Sequence, residues 1–396
     1  MNKNINNSIS IIGGAGHVGF PLGLAFASKK YKINLVDLDK KNLDKIKSGT
    51  PPFFEIGAKK ILKKCLKKNA LSFSSNLKSV INSKFIVICI GTPINKNLKP
   101  DTKNFISLFF HLLKIIKKKQ IIVIRSSVYP GIIHKITRIL KSKNNNVVYC
   151  PERIVQSKAL IELPKLPQII AGTNKLSISE TSKIFKKICR KIIITTIEEA
   201  ELIKLFSNAN RYINFAIANQ LYMICKKNNL DFSNIRNIMR EGYERNLNLQ
   251  NSGFTAGPCL LKDTMQLSAF YKNKFSLGIS AMKINEGFPE LILRNIKKIN
   301  NYKKKKVGVL GLSFKAETDD IRDSLSIKLI NKLKKNNIYT LQSDEYYENK
   351  NNINKDDLIK KSDIIVVGAP HKAYKKLKIN QNKIIIDVWG LFKKQK

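Results

Sequence analysis

The residues best suited to covalent chemistry lie in segment 253–263, which reads GFTAGPCLLKD. Two glycines and a proline precede Cys259, and Lys262 and Asp263 follow it near the start of a predicted helix. Glycines here would leave room for a ligand to approach the backbone. A helix N-terminus and a nearby lysine both stabilise a thiolate, which is the reactive form of cysteine. Cys259 is therefore a candidate nucleophile, and the alternative is that it is one of six small buried hydrophobes.

A glycine-rich turn at 13–19, GGAGHVG, lies between an apolar strand at 9–12 and an apolar helix at 20–28. Its glycines stand where a dinucleotide-binding turn needs a tight bend, a close approach to pyrophosphate and close helix packing. The next strand ends in Asp37, whose carboxylate would bind ribose hydroxyls and repel the 2′-phosphate of NADP. We therefore predict NAD as the cofactor, the alternative being a glycine-rich loop without a ligand. The predicted cofactor-binding residues here are Gly14, Gly16, His17, Val18, Gly19 and Asp37.

Polar residues follow three further predicted strands, at 85–90, 121–124 and 147–149. Thr92, Ser127 and Glu152 come shortly after these strands. Ligands of doubly wound sheets bind at the carboxyl ends of the strands. Each of these residues taken singly could be a turn or cap residue. Together they predict one crevice, with Thr92 and Ser127 also binding the cofactor.

Segment 197–227 has a long helical pattern without glycine or proline. Lys204, Asn208 and Arg211 are spaced to lie on one side of this helix. An asparagine between two cations suits an oxyanion site, where donors converge on developing negative charge, and the alternative is a solvated charged face. A helix of this length also predicts a dimer contact. Its predicted apolar stripe consists of Leu202, Leu205, Phe206, Ala209, Ile213, Ala216, Ile217 and Leu221.

The last third of the chain repeats the strand and helix alternation of the first. Strands are predicted at 307–311, 364–367 and 384–386, after a predicted hinge at 303–306. Ser324 would cap a helix, and Lys315 and Arg322 would bind an anion near its N-terminus. We predict an α/β fold with two doubly wound Rossmann-like lobes joined by a central helical domain with one long helix. A ligand would be held between the lobes.

Composition limits the function classes further. The 396 residues include 73 Lys and Arg against 28 Asp and Glu, a net charge of +45. The lysines are spread over every segment without an aromatic-interleaved basic motif, so we do not expect nucleic-acid binding. No apolar run approaches the ~18 residues of a membrane span, and the N-terminus lacks a signal-peptide core, which predicts a cytoplasmic protein. The wide spacing of cysteines and histidines predicts neither a disulfide framework nor a metal site.

In combination the motifs resemble those of the UDP-glucose/GDP-mannose dehydrogenase family, over essentially the whole chain. They are GxGxxG at 14–19, RSSVYPG at 125–131, PER at 151–153, ExxKxxxN at 201–208, GPCxxKD at 257–263, and FK at 314–315 with DIRxS at 320–324. The PER motif and the run RYINFAIAN at 211–219 look like the branch that acts on UDP-N-acetylhexosamines, namely UDP-N-acetylmannosamine or UDP-N-acetylglucosamine.

The resemblance implies a four-electron oxidation of the sugar C6 alcohol to a carboxylate with two NAD, for surface-polysaccharide precursors. Cys259 would attack the aldehyde, Lys204 and Asn208 would stabilise the thiohemiacetal oxyanion, and water would hydrolyse the resulting thioester. Glu152 and Asp263 are candidates to position or activate this water, with Ser127 in support. The implied substrate-binding residues are Arg153, Lys204, Asn208, Arg211, Tyr243, Arg245, Ala256, Lys315 and Arg322.

The expected domains are an NAD-binding domain at 1–195, a helical domain at 196–300 with the catalytic lysine and cysteine, and a UDP-sugar-binding domain at 301–396. The expected assembly is a homodimer.

Four departures from the family pattern concern the sugar pocket more than the chemistry. Ser127 stands where the family usually has threonine and keeps the hydroxyl, Ser157 replaces a frequent glycine, and Ser252 replaces a proline. The C-terminal lobe also lacks an arginine that some members direct toward the NAD of a partner subunit.

Three alternative functions remain open. The substrate could be UDP-glucose. A two-electron β-hydroxyacid dehydrogenase would need Lys204 but no thiol, so Cys259 discriminates against it. A basic binding protein without catalytic activity would show salt-dependent affinity for DNA.

Overall fold

The computed structural model describes residues 8–143, 146–255 and 257–392, so the predicted substrate-binding residue Ala256 lies outside the described residues. The chain forms two compact units, the first ending at Phe206 and the second beginning at Ser207. None of the helices in the described ranges is both long and apolar enough to cross a membrane.

The first unit is built on an eight-stranded sheet with the strand order 3-2-1-4-5-6-7-8. Paired strands are parallel except for the sixth and seventh, which are antiparallel. The strands are β1 (Ser8–Ile12), β2 (Lys32–Val36), β3 (Leu71–Ser74), β4 (Phe85–Ile88), β5 (Ile121–Ile124), β6 (Val147–Tyr149), β7 (Gln168–Gly172) and β8 (Ile192–Ile194). The helices are α1 (Gly19–Ser28), α2 (Lys40–Lys47), α3 (Ala58–Lys67), α4 (Lys103–Ile115), α5 (Ile132–Leu140), α6 (Ala159–Glu162) and α7 (Lys175–Phe185), with a 3-10 helix at Leu77–Asn82.

The central strands of this sheet are apolar on both faces. Strands β4 and β5 read FIVI and IIVI, and all of these residues are buried, as expected for parallel strands covered by helices on both sides. The strand order reverses between β1 and β4, so a crevice is expected outside the carboxyl ends of these strands. The glycine-rich turn follows β1 and Thr92 follows β4, which places both at this crevice. The predicted doubly wound lobe is confirmed.

The long helix α8 spans Ile197–Lys227, as the sequence pattern predicts, and includes the boundary between the two units. Its predicted apolar stripe is only partly buried. Leu205 and Ala209 are buried, whereas Phe206 is 52 % and Ile217 is 46 % exposed. The eight predicted positions cover more of the helix circumference than one packed face can bury, so only part of the apolar stripe lies in the core.

The second unit contains a four-stranded parallel sheet with the strand order 10-9-11-12. Ser324 precedes the helix at Leu325–Lys335 and caps it by accepting the Ile327 N–H at 3.4 Å, as predicted. The strands are β9 (Val307–Leu310), β10 (Thr340–Ser343), β11 (Ile364–Val367) and β12 (Ile384–Ile386). The helices are α9 (Phe232–Arg240), α10 (Leu260–Phe270), α11 (Ser276–Lys297), α12 (Leu325–Lys335) and α13 (Lys355–Lys361), with 3-10 helices at Glu244–Asn246, Tyr302–Lys304 and Lys372–Lys376.

Candidate active site

The glycine-rich turn between β1 and α1 has the crowding that a dinucleotide-binding turn requires. A Cβ on Gly14 would lie 2.8 Å from the Ile11 carbonyl oxygen, and a Cβ on Gly19 would lie 2.1 Å from the Gly13 carbonyl oxygen. A Cβ on Gly16 would meet nothing closer than 3.4 Å. Gly14 and Gly19 thus shape the turn, whereas Gly16 leaves a cradle that a side chain would fill.

Asp37 closes one side of this turn from the end of β2. Its Oδ2 accepts the Ala15 N–H at 2.9 Å and its Oδ1 accepts the Asp39 N–H at 3.0 Å. His17 lies within the turn with its ring centroid 3.9 Å from that of Phe53, and Val18 directly precedes α1. The cradle at Gly16 and the carboxylate beside it fit a dinucleotide whose ribose is bound by Asp37.

The ends of β4 and β5 are joined by hydrogen bonds. The Thr92 hydroxyl donates to the Ser127 carbonyl oxygen, and the Ser126 hydroxyl donates to the Ile90 carbonyl oxygen at 2.6 Å. Thr92 is buried, whereas Ser127 is partly exposed. The structure therefore brings Thr92 and Ser127 together at the carboxyl ends of two central strands.

A buried ion pair that the sequence patterns did not single out anchors the third strand end. Arg125 pairs with Glu152, and its Nη1 donates to Gln168 Oε1 at 2.8 Å. Burial lowers the pKa of Arg125. The Glu152 Oε1 accepts the N–H groups of Arg153 at 2.7 Å and Ile154 at 3.0 Å. Both carboxylate oxygens of Glu152 are therefore engaged by the protein. An arginine directly after the apolar strand IIVI is the signal that could have indicated this pair.

Glu201 fixes the first turns of α8 within the first unit. Its two carboxylate oxygens accept the N–H groups of Gly131 at 2.7 Å and Ile133 at 3.0 Å, which caps α5. Burial raises the pKa of Glu201, and these two hydrogen bonds oppose that rise. Lys204 and Asn208 follow on α8 and are buried, whereas Arg211 is exposed. Lys204 and Asn208 are therefore not part of a solvated charged face, whereas the Arg211 side chain reaches solvent.

Cys259 immediately precedes α10, as predicted, and is exposed. Asp263, one turn later, is fully buried. Its Oδ2 accepts the Asn208 Nδ2–H at 2.5 Å, and its Oδ1 lies 2.7 Å from Lys262 Nζ. The structure thus joins the predicted oxyanion residue Asn208 to the helix that begins at the thiol. The Asn208 amide has a second N–H, which this hydrogen bond leaves available.

The glycines before Cys259 face aromatic rings. A Cβ on Gly253 would lie 2.4 Å from Trp389 Cδ2, and a Cβ on Gly257 would lie 2.4 Å from Phe314 Cδ2. The prediction that these glycines leave room for a ligand is therefore wrong, because protein side chains occupy that space. No local pattern in the sequence connects these glycines with residues 57 or more positions away.

Arg322 lies close enough to Cys259 for the two groups to interact electrostatically. Its Nη2 lies 2.6 Å from Asp320 Oδ2. This hydrogen bond raises the pKa of Arg322, and the Cys259 thiol adds a smaller contribution in the same direction. Lys315 Nζ lies 5.9 Å from the Phe314 ring centroid. Arg322 and Phe314 thus connect the loop after β9 with the segment that delivers the thiol.

Two further residues that the sequence patterns missed support the loop after β9. Asp344 Oδ2 accepts the Leu312 N–H at 2.5 Å, and His371 Nε2 lies 3.3 Å from the same oxygen. The Glu317 N–H donates to His371 Nδ1 at 3.0 Å, so Nε2 carries the proton and donates to Asp344. His371 therefore connects two points of this loop, Glu317 directly and Leu312 through Asp344.

Two of the remaining predicted substrate-binding residues, Tyr243 and Arg245, lie in the second unit. Tyr243 and Arg245 are exposed and contact each other, with Arg245 Nη1 donating to Tyr243 Oη at 3.2 Å. In the described ranges, neither forms a hydrogen bond or ion pair with the Cys259 segment. In the first unit, Arg153 Nη2 donates to the Pro167 carbonyl oxygen at 2.6 Å, and burial lowers the pKa of Arg153.

Three family models match successive parts of the chain. All three belong to the UDP-glucose/GDP-mannose dehydrogenase family: the NAD binding domain matches residues 7–191, the central domain residues 198–287 and the UDP binding domain residues 308–394.

Similar proteins extend over almost the full length of the chain. A UDP-N-acetyl-D-mannosamine dehydrogenase of Methanococcus vannielii is 29% identical over 397 residues, which cover 94% of this chain and 91% of that protein. An NDP-N-acetyl-D-galactosaminuronic acid dehydrogenase of Ralstonia nicotianae is 22% identical over 411 residues, covering 97% and 96%. The solved UDP-D-ManNAc dehydrogenase of Pyrococcus horikoshii matches the fold with a TM-score of 0.89 at 24% identity, covering 98% and 96%.

Proposed function

The chain belongs to the UDP-glucose/GDP-mannose dehydrogenase family and is an NAD-dependent UDP-sugar dehydrogenase, and from this premise we propose that it oxidises the C6 alcohol of a UDP-N-acetylhexosamine to the uronic acid. The observation that carries the proposal is the exposed Cys259 at the start of α10, beside a buried Asn208–Asp263 hydrogen bond. UDP-N-acetylmannosamine is the favoured substrate, because the relative from Methanococcus vannielii carries that name and the PER and RYINFAIAN motifs resemble the same branch.

The glycine-rich turn would hold the cofactor, with its pyrophosphate at Gly16 and its ribose at Asp37. His17, Val18, Thr92 and Ser127 would line the same site. The chemistry that bound NAD would supply is acceptance of a hydride from the sugar C6, once in each of two successive oxidations. The cradle at Gly16 supports this assignment.

Cys259 supplies the covalent chemistry. The first oxidation yields an aldehyde, and the Cys259 sulfur bonds to its carbon to form a thiohemiacetal. Lys204 and the second N–H of Asn208 donate to the oxyanion that develops on the former carbonyl oxygen. The second oxidation gives a thioester, and water then replaces the sulfur, releasing the carboxylate and restoring the thiol.

The two carboxylates predicted for the site, Asp263 and Glu152, are better suited to positioning than to removing protons. Asp263 is fully buried, with Oδ2 hydrogen-bonded to Asn208 and Oδ1 in an ion pair with Lys262. Glu152 accepts from Arg125 and from backbone N–H groups. We assign Asp263 to orienting Asn208, and Glu152 to fixing the strand end next to Ser127. The hydrolytic water would be held by the neighbouring polar groups, including the Ser127 hydroxyl.

The UDP-sugar would be bound mainly by cations. Arg322 and Lys315 on the loop after β9 would meet the diphosphate, and the packing of the Phe314 ring of this loop against Gly257 supports this. Five further residues are proposed to complete the substrate site: Arg153, Arg211, Tyr243, Arg245 and Ala256.

We also propose an assembly, a cellular location and a biological role for the chain. Ile217 and Ile224 on α8 are 46 % and 54 % exposed, which supports a homodimer formed through this helix. All six cysteines are free, which supports a cytoplasmic location. The three-domain division at 195 and 300 and a role in surface-polysaccharide synthesis remain part of the proposal.

One experiment tests the function and its nearest alternatives. Purified protein is incubated with NAD and a panel of UDP-sugars that includes UDP-glucose, and the NADH formed per sugar consumed is counted. A ratio of two is expected on a UDP-N-acetylhexosamine. Cys259→Ala should abolish acid formation while NAD still binds. A ratio of one that persists in Cys259→Ala would indicate a two-electron dehydrogenase instead.

A further inference from the structure

The loop that delivers Cys259 is held by residues from distant parts of the second unit. This Cys259 loop comprises residues 252–255 and 257–259. The Gly253 N–H donates to Asn219 Oδ1 at 2.8 Å, and Asn219 Nδ2 donates to Asn285 Oδ1 at 2.9 Å. Both asparagines are fully buried. Helices α8 and α11 therefore fix one side of the loop.

The segment after β12 holds the other side. The Trp389 ring covers Gly253, so that a Cβ at this glycine would lie 2.4 Å from the ring. The Trp389 Nε1–H donates to the Gly368 carbonyl oxygen at 3.0 Å, which fixes the ring plane. The Ser252 hydroxyl donates to the Val388 carbonyl oxygen at 2.6 Å. One residue of the C-terminal segment thus packs on the loop, and its neighbour accepts a hydrogen bond from it.

We propose that Trp389 is a positioning residue for the Cys259 thiol. The proposal rests on the proposed function, in which Cys259 must reach an aldehyde carbon. Gly253 lies at φ +147 in a loop rich in small residues, so the backbone has little stiffness of its own. The indole surface supplies the missing restraint. A thiol displaced by about 1 Å loses roughly 10²-fold in rate, because near-attack geometry is lost.

The test compares three variants with the wild-type chain. Trp389→Leu removes the ring, and Trp389→Phe keeps a smaller one. Leu358→Ala is the matched control, because Leu358 is fully buried in the same unit but packs in a different apolar cluster, with Leu310, Ile359, Ile365 and Tyr374. Hydrogen exchange of the peptide that contains the Cys259 loop gives the local readout. The kcat, the KM for NAD and the NADH formed per sugar give the catalytic readout.

Trp389→Leu should raise exchange at the Gly253 amide at least about tenfold and lower kcat by roughly 10- to 100-fold. The KM for NAD should stay within about twofold, because the predicted cofactor-binding residues lie in the first unit. The NADH ratio should fall from two toward one, since a displaced thiol captures less aldehyde. Trp389→Phe should stay within about threefold of the wild-type kcat, and Leu358→Ala should lower stability without raising exchange in the loop.

Two results would overturn the proposal. One is unchanged exchange in the Cys259 loop of Trp389→Leu. The other is raised exchange with unchanged kcat and an NADH ratio of two. If Trp389→Leu does not fold, Trp389→Met, which also removes the ring but keeps a longer apolar side chain, takes its place, and the same comparison decides. If the wild-type chain oxidises no UDP-sugar, the proposed function fails, and the exchange data alone decide whether Trp389 holds the loop.

Discussion

The hydrogen bond from Asn208 to Asp263 permits a quantitative prediction. The donor and acceptor atoms are 2.5 Å apart, and Asp263 is fully buried. A hydrogen bond to a charged group contributes about 1.5–3 kcal/mol. Asp263 keeps its ion pair with Lys262 at 2.7 Å, so Asn208→Ala should not reach the ~3–5 kcal/mol of a broken buried ion pair. We expect Asn208→Ala to destabilise the second unit by about 2 kcal/mol.

Asn208→Asp tests the same contact with the opposite electrostatics. Two buried carboxylates at this distance cannot both be ionised, so the folded pair would retain a proton that the unfolded chain releases. The pKa of the pair is then raised in the folded state. Stability should therefore be closest to that of the wild-type chain at about pH 4 and below, where the unfolded carboxyl still holds its proton, and should decrease as pH rises toward 8. Asn208→Ala should show no such pH dependence relative to wild type.

Native-state hydrogen exchange of the α10 peptide, followed across urea concentration, gives the opening free energy of this region alone. In an Asp263→Asn background the cost of Asn208→Ala should shrink to about 1 kcal/mol, because the acceptor is no longer charged. Under the proposed mechanism Asn208→Ala should also lower kcat by about 10²–10³-fold. The Asn208–Asp263 hydrogen bond does not stabilise this region if the opening free energies of Asn208→Ala and Asn208→Asp both remain within about 0.5 kcal/mol of the wild-type value at pH 8.

Two further predictions concern the glycine-rich turn and Asp344. Gly16→Ala should keep wild-type stability and weaken NAD binding at least about tenfold. Its matched variant Gly19→Ala should destabilise the first unit, because the added Cβ would lie 2.1 Å from a backbone oxygen. Calorimetry measures both effects, and equal melting temperatures of the two variants would contradict the prediction. Burial alone would raise the pKa of Asp344, but hydrogen bonds from His371 and from backbone N–H groups lower this pKa to about 2. The ionised carboxylate therefore stabilises the folded chain by about 2 kcal/mol above pH 3.8, and this stabilisation is lost as pH falls from 3.8 to 2. Urea unfolding should show the stability gap between wild type and Asp344→Asn narrowing from pH 6 to pH 2, and a constant gap would contradict this.

Much of the fold could be predicted because its strands are short apolar runs. The predicted bounds of β5, β6, β11, β12 and α8 agree with the structure. The first three of these strands read IIVI, VVY and IIVV and are fully buried, as such runs are in a covered parallel sheet. Strand β12 reads III and is indicated by its β-branched residues, although it lies at a sheet edge and is partly exposed.

The unpredicted strands lack that signal. Strands β3 and β10 read LSFS and TLQS, and both lie at sheet edges, where one face and one side remain solvated. Strand β7 pairs antiparallel with β6, and no local pattern specifies this reversal. Strand β8 has only three residues and directly precedes the long helical pattern.

The candidate site divides in the same way. Cys259, Lys204 and Asn208 stand within the short motifs GPCxxKD and ExxKxxxN, so they could be found from the sequence. Their supports could not, because each is a contact over a long sequence separation. Arg125 meets Glu152 across 27 positions, and Asn208 meets Asp263 across 55. Such pairs form only when the sheet order and helix packing are known.

Trp389 also determines the intrinsic fluorescence of the chain. It is the single tryptophan of the chain, so intrinsic indole emission arises entirely from the ring that covers Gly253. A shift in emission wavelength or quenching upon ligand addition therefore reports on this ring's surroundings without an attached dye. The first unit contains tyrosine but no tryptophan, so it does not fluoresce at excitation wavelengths above the tyrosine band. The emission therefore reports on the second unit alone.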